Sequence, residues 1–240
     1  MVDWLGNRQL RRMRQDWDQR ARENARHYVV TGQAQWSDEE FYRSGDIAMQ
    51  EDILNDLGNI CQGMDPKRMR VLEIGCGAGR MTRALAVFFG EVYAVDISPE
   101  MVRQARLTVV EFPNAHVVRN NGKDLSAIRP RWRDCFGWGP RLKFDFAFSS
   151  MVFQHIPSRE IIENYVREVH RLLRPGALFK FQVQGCPGVD TRPDNTWVGV
   201  PFTQQQAGFM AEHCGFELRY QTGVGEQYYW LWYFRCAGPK

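Results

Sequence analysis

The 240-residue sequence predicts an α/β fold: a mostly parallel sheet that closes on an antiparallel hairpin. Three observations carry that expectation. From residue 70 onward, short β-branched and apolar runs alternate with helical ones, a spacing that implies βαβ crossovers. The first run, Val71-Leu72-Glu73-Ile74, breaks into Gly75-Cys76-Gly77-Ala78-Gly79, and Asp96 follows seventeen residues after the last glycine. The last two runs are joined by Thr222-Gly223-Val224-Gly225, a short link suited to a hairpin.

Residues 3 to about 30 read as a helix, because Leu5, Leu10, Met13, Trp17, Ala21, Ala25 and Tyr28 recur at spacings of three to five. Its other face carries Arg8, Arg11, Arg12, Arg14, Arg20, Arg22 and Arg26, interspersed with acids. Ser37-Asp38-Glu39-Glu40 is a capping-box pattern that starts a second helix. That helix is expected to break near Ser44-Gly45 and to resume from Ile47 to Ile60, with a boundary at Asp65-Pro66-Lys67. These residues divide the chain into a helical cap, 1–65, and a core, 66–240. Strands are expected at 70–74, 91–95, 115–118, 144–148, 177–184, 216–221 and 228–236. Helices fit at 79–88, 99–111, 159–173 and 202–213. The segment 185–197 fits no element; it is either a lid or substrate loop at a strand's C-terminal end, or a neutral insertion.

The totals narrow the function. A hydrophobic content of 44% supports a packed core, and a formal charge of +3 is too small to require a nucleic-acid or membrane partner. No apolar stretch approaches the ~20 residues of a membrane span. The start, Met1-Val2-Asp3-Trp4, opens into charged sequence unlike a secretory signal. Six cysteines, at 61, 76, 135, 186, 214 and 236, contain no Cys-x-x-Cys pair and read as reduced thiols, which places the chain in the cytoplasm.

The glycine turn with a downstream acid is a nucleotide-binding pattern. A dinucleotide fingerprint needs a third glycine where Arg80 stands, and a P-loop needs a Gly-Lys-Ser/Thr that is missing. A cofactor without a pyrophosphate fits better. Residues 71–82, Val-Leu-Glu-Ile-Gly-Cys-Gly-Ala-Gly-Arg-Met-Thr, resemble motif I of the class I S-adenosylmethionine-dependent methyltransferases. Val92 to Ser98, Val117 to Leu125, Phe144 to Ile156 and Leu172 to Leu178 resemble that family's next four motifs, in order. The match covers about residues 70–236, within the small-molecule and ubiquinone-biosynthesis-like subgroup.

The resemblance implies a Rossmann-like core of seven strands that binds S-adenosylmethionine. Gly75, Gly77 and Gly79 would pass under the methionine moiety of the cofactor. Glu73 would sit beneath that moiety or hold the amides of the turn. Asp96 would accept from both ribose hydroxyls, and Ile97 would lie on the adenine. Asn121 and Gly122 would meet the adenine edge, with Asn120 or Asp124 as alternatives to Asn121. Ser150, or else Ser149, would line the pocket. Tyr28 or Arg43 would reach the methionine carboxylate, unless the cap aromatics serve only packing.

Methyl transfer from a sulfonium needs alignment more than acid–base chemistry, so no catalytic residue is obligatory. His155, just past the fourth strand, is the candidate base; the alternative is a structural bond to backbone. No carboxylate set for a divalent metal is evident. The aromatics of 228–234 alternate as core residues do. The expected function is methyl transfer to a small-molecule acceptor. The alternatives are an RNA- or protein-modifying enzyme docking through the Arg-rich helix, and a non-catalytic cofactor-binding module. Oligomeric state does not follow from the sequence.

Overall fold

The structure is a computed structural model that describes residues 2–31, 33–128, 142–192 and 195–236. Cys135 and, within the predicted loop, Pro193-Asp194 lie outside the described residues. The elements run α1 (Val2–Val29), α2 (Asp38–Asp52), α3 (Leu57–Cys61), β1 (Arg70–Ile74), α4 (Arg80–Phe88), β2 (Glu91–Asp96), α5 (Pro99–Thr108), β3 (Ala115–Arg119), β4 (Phe144–Ser149), α6 (Arg159–Leu172), β5 (Leu173–Val183), α7 (Gln204–His213), β6 (Phe216–Thr222) and β7 (Tyr229–Arg235).

The seven strands form one sheet in the order β3-β2-β1-β4-β5-β7-β6. β1 to β5 are parallel, and β7 runs antiparallel to both β5 and β6. The strand order reverses between β1 and β4, which is where an open α/β sheet leaves a crevice at its carboxyl edge. Both faces are covered, which is why successive residues such as Val71 and Leu72, or Phe146 and Ala147, are buried on opposite sides of the sheet. Leu72, Ile74, Ala147 and Phe181 pack on one face with α6 and α7. Val71, Phe146, Phe148 and Leu178 pack on the other with residues of α2, α3 and α4. The aromatics of β7 belong to this core: Tyr229 and Tyr233 are buried, and Trp230 stacks on Phe148 at 6.0 Å.

Local chemistry explains the elements. The capping box at α2 forms as expected: Ser37 Oγ accepts from Glu40 N at 3.2 Å, and Glu40 accepts from Ser37 N at 3.0 Å. α2 does not break at Ser44-Gly45 but runs on to Asp52, and the interruption is a 3-10 turn over Leu54–Asp56. Gly45 has another purpose. A Cβ there would lie 2.6 Å from the Arg80 carbonyl oxygen, so the missing side chain lets α2 press on the start of α4. α1 kinks at Asn24, whose side chain accepts from His27 N at 3.1 Å and caps the final turn. α5 stops at Thr108 rather than 111. β5 begins at Leu173, before Pro175-Gly176, and takes up those residues in an irregular register against Phe144 and Phe146.

The N-terminal helices are fastened to the sheet layer. Asp18 on α1 accepts from Ser98 Oγ at 2.9 Å and from Glu100 N at 3.0 Å, placing a carboxylate on the N-terminus of α5. Met13 of α1 and Met49 and Ile53 at α2 join the main core clusters. No helix among the described residues is long and apolar enough to cross a membrane.

The close fit at Gly45 has a measurable consequence. On an open helix, Gly→Ala gains about 1 kcal/mol. Here the overlap with Arg80 costs about 1–3 kcal/mol, so Gly45→Ala is expected to be net destabilising in urea unfolding. A more stable variant would show that α2 and α4 are not in tight contact.

Candidate active site

The crevice at the β1/β4 switch is a cleft of about 990 Å³, counted to its open mouth. Its floor is the turn after β1. The N–H groups of Gly75 and Cys76 donate to the Val95 carbonyl at 2.7 and 3.0 Å, so the turn is tied to β2. Gly75, Gly77 and Gly79 all hold positive φ, at 75°, 52° and 89°. A Cβ on Gly75 would strike Val152, and one on Gly77 would strike Val29 of α1. Those two glycines line the cleft; Gly79 does not. Its missing side chain instead admits the backbone of Ala105, closing α4 onto α5.

Asp96 ends β2 beside this turn. Oδ2 accepts from Gly77 N at 2.9 Å, and Oδ1 accepts from Ser98 N at 2.9 Å. Each oxygen keeps a second lone pair for a ligand. Burial pushes the carboxyl up to about 6, opposed by the N–H groups of Ser98, Gly77 and Ile97. Ile97 and Gly122 face one another across the same wall.

The structure exchanges the two asparagines of the third-strand loop. Asn121 is exposed and spends its side chain on its own turn, accepting from Lys123 N at 2.7 Å and from Asp124 N at 2.9 Å. It does not line the cleft. Asn120 does, and it is buried, with Nδ2 donating to the Tyr165 hydroxyl at 2.7 Å. Among the described residues its Oδ1 has no partner. A buried acceptor without a donor is costly, and a ligand amino group would satisfy it.

Glu73 lies at the inner end of the cleft and is buried. Its partner is the Thr82 hydroxyl on α4, at 2.6 Å, rather than an amide of the turn. Burial pushes its carboxyl up to about 7, against the Thr82 bond and the Arg80 charge. Arg80, buried against α2, donates from Nη1 to the Ser44 carbonyl at 2.7 Å. Ser150 lines the cleft, whereas Ser149 is buried and donates to the Ile74 carbonyl at 2.9 Å. Next to Ser150, Met151 has φ 59°, a strained value for a side-chain-bearing residue. Gln182 of β5 accepts its N–H at 2.8 Å. Sequence reading missed this pair. Its one signal was a glutamine amid the apolar run of a buried strand.

Met13, Trp17, Tyr28 and Val29 of α1 roof the cleft, while Arg43 is exposed and lies away from it. The segment after β5 braces that roof. Trp197 stacks on Trp17 at 6.1 Å, Thr196 Oγ1 donates to Asp16 at 2.8 Å, and Arg20 donates to the Thr196 carbonyl at 3.3 Å. His155 joins the brace: Nδ1 hydrogen-bonds the Trp197 carbonyl, and Nε2 lies 3.3 Å from Gln154 Nε2. Burial pushes its pKa down to about 4; Arg20 lowers it further, and the Trp197 carbonyl opposes the fall. The ring is therefore neutral at pH 7 with both nitrogens engaged, which is the backbone-bonding alternative raised for it.

The cleft thus has a carboxylate with lone pairs to spare, a buried amide oxygen without a partner among the described residues, and a close-packed glycine floor. That set of acceptors would fit an adenosine-bearing cofactor. Residues 72–179 match the sequence family described as a methyltransferase domain. The ubiquinone biosynthesis O-methyltransferase of Xanthomonas campestris pv. campestris is 32% identical over 108 residues, covering 45% of this chain and 39% of its own. The chain therefore spans about two-fifths of the length of such relatives. Magnesium protoporphyrin IX methyltransferase from Synechocystis superposes with a TM-score of 0.63 at 17% identity, over 92% of this chain and 97% of its own. Phosphoethanolamine N-methyltransferase 1 from Haemonchus contortus gives 0.66 at 13% identity, over 97% of this chain and 50% of its own. Likeness at such identities is one of fold.

Burial of Glu73 sets a pH dependence of stability. Its folded pKa of about 7 lies above the ordinary 4.5, so the fold loses stability as pH rises between those values. Glu73→Gln keeps an acceptor for Thr82 and removes this loss. In urea unfolding, the variant is expected to gain on wild type from pH 4.5 to 7, by on the order of 3 kcal/mol at the top. A difference that does not vary with pH would contradict the assignment.

Proposed function

We propose that this chain, whose residues 72–179 match a methyltransferase domain, is a class I S-adenosylmethionine-dependent methyltransferase that moves a methyl group to a small-molecule acceptor. The observation that carries this reading is Asn120 Oδ1, a buried acceptor without a partner among the described residues, in the same cleft as Asp96. Asp96 would take the ribose hydroxyls, Ile97 and Gly122 the adenine faces, and Asn120 the adenine amino group. Gly75, Gly77 and Glu73 would underlie the methionine end. Bound S-adenosylmethionine supplies an electrophilic methyl on a sulfonium, with a neutral thioether as leaving group.

The protein's share is alignment and exclusion of water. Residues 1–65 act as the cap on a 66–240 core. Trp17 and Tyr28 close the roof, and Ser150, Met151 and Val152 form the facing wall. The roof and this wall are largely apolar, which suits an uncharged organic acceptor. O-methyl transfer, as named for the Xanthomonas relative, is compatible with that lining. His155 braces the roof instead of taking a proton. On α1, Arg12 and Arg22 pair with Asp16 and Asp18, Arg26 pairs with Asp38, and Arg20 lies over Trp17. Those contacts engage four of the helix's arginines, which supports a solvated, internally balanced face over an RNA-docking one. The scattered cysteine spacing, with no Cys-x-x-Cys pair, suits a reducing compartment such as the cytoplasm.

Calorimetric titration with S-adenosylmethionine tests the reading. Wild type should bind one equivalent, and Asp96→Ala should weaken binding by roughly tenfold or more, because a doubly engaged acid is lost. Unchanged affinity in Asp96→Ala would refute the ribose role. Asn120→Leu should weaken binding clearly more than Asn121→Ala. The reverse order would restore Asn121 as the adenine contact.

A further inference from the structure

Arg80 is the first residue of α4 and the one Lys or Arg among the described residues that line the cleft. It is only 8% exposed. A guanidinium has five N–H donors, yet among the described residues Nη1 holds only a backbone carbonyl, that of Ser44, and Nε is buried without a partner. Glu73 and Asp52 act on its charge, but among the described residues no acid forms an ion pair with it. A buried cation in that position is unfavourable until an anion joins it.

The stem of Arg80 is held in place. Gly45 leaves room for α2 against its carbonyl and Cγ, and Ser44 fixes one end of the guanidinium fork. What remains is a pre-positioned donor edge beside the glycine turn. On the S-adenosylmethionine reading, the cofactor offers one anion, the carboxylate of its amino-acid end. The adenosine is neutral, and the ammonium matches Glu73 rather than an arginine. We propose that Arg80 binds that carboxylate, a role that rests on the cofactor reading above. Arg43, nominated by the sequence, lies away from the cleft. The fork geometry of arginine suits a planar carboxylate better than a lysine point charge does.

The test compares two ligands by calorimetry: S-adenosylhomocysteine, and 5′-methylthioadenosine, which keeps adenine, ribose and sulfur but lacks the amino-acid end. Arg80→Gln should lose roughly tenfold or more affinity for S-adenosylhomocysteine, with 5′-methylthioadenosine binding close to wild type. Arg80→Lys should recover part of the loss. Equal losses for both ligands would mark Arg80 as merely structural, and no loss for either would place its anion elsewhere; each overturns the assignment. A wild-type protein that binds neither ligand would instead overturn the cofactor reading, and the assignment with it.

Discussion

Asp96 accepts one backbone N–H from the glycine turn and another from the start of α5, and the cleft depends on that pair of bonds. Gly77 N and Ser98 N approach opposite oxygens of the same carboxylate, each at 2.9 Å. The acid thereby fixes the separation of two loops that leave adjacent strands. It also fixes its own orientation, because both oxygens are committed while their outer lone pairs remain available. Gly77 can meet it only because the turn runs at positive φ with no side chain in the way. A residue with a side chain there would displace Val29, and with it part of the roof.

The roof shares its foundations with the core. Asp18 caps the very helix that Ser98 begins, so α1 is anchored one turn from Asp96. On the far side, Thr196, Trp197 and His155 tie the segment after β5 to α1. The aromatic side chains over the cleft are therefore held at both ends. Binding geometry and cap docking are two aspects of one network, and a change in either is felt in the other.

Buried charge gives the cleft its character. Glu73, Asp96 and Arg80 all sit in low dielectric, and burial pushes each toward its neutral form. Two acids and one cation without ion pairs among the described residues make an arrangement that a ligand carrying hydroxyls, an ammonium and a carboxylate would relieve. Much of this was legible in the sequence. The strand runs, the glycine turn and Asp96 follow from strong local rules: alternation, positive φ and an acid at a strand end. The parts that were not legible depend on contacts distant in sequence. Gly45 read as a helix break because its neighbour, Arg80, is supplied by another helix. Asn121 looked like the adenine contact because turn chemistry and ligand chemistry favour the same residue type; only the path of the loop shows that Asn120 is the one turned inward. Gln182 left a trace as a polar residue in a buried strand, but its partner Met151 lies on another strand's exit.

On the proposed reading, Asp96 and Asn120 together define a nucleoside site above the glycine turn. A crystal structure of the protein with S-adenosylhomocysteine should place both ribose hydroxyls within hydrogen-bond distance of Asp96 and the adenine amino group as a donor to Asn120 Oδ1. A nucleoside bound elsewhere, or one that leaves Asn120 Oδ1 without a partner, would contradict it.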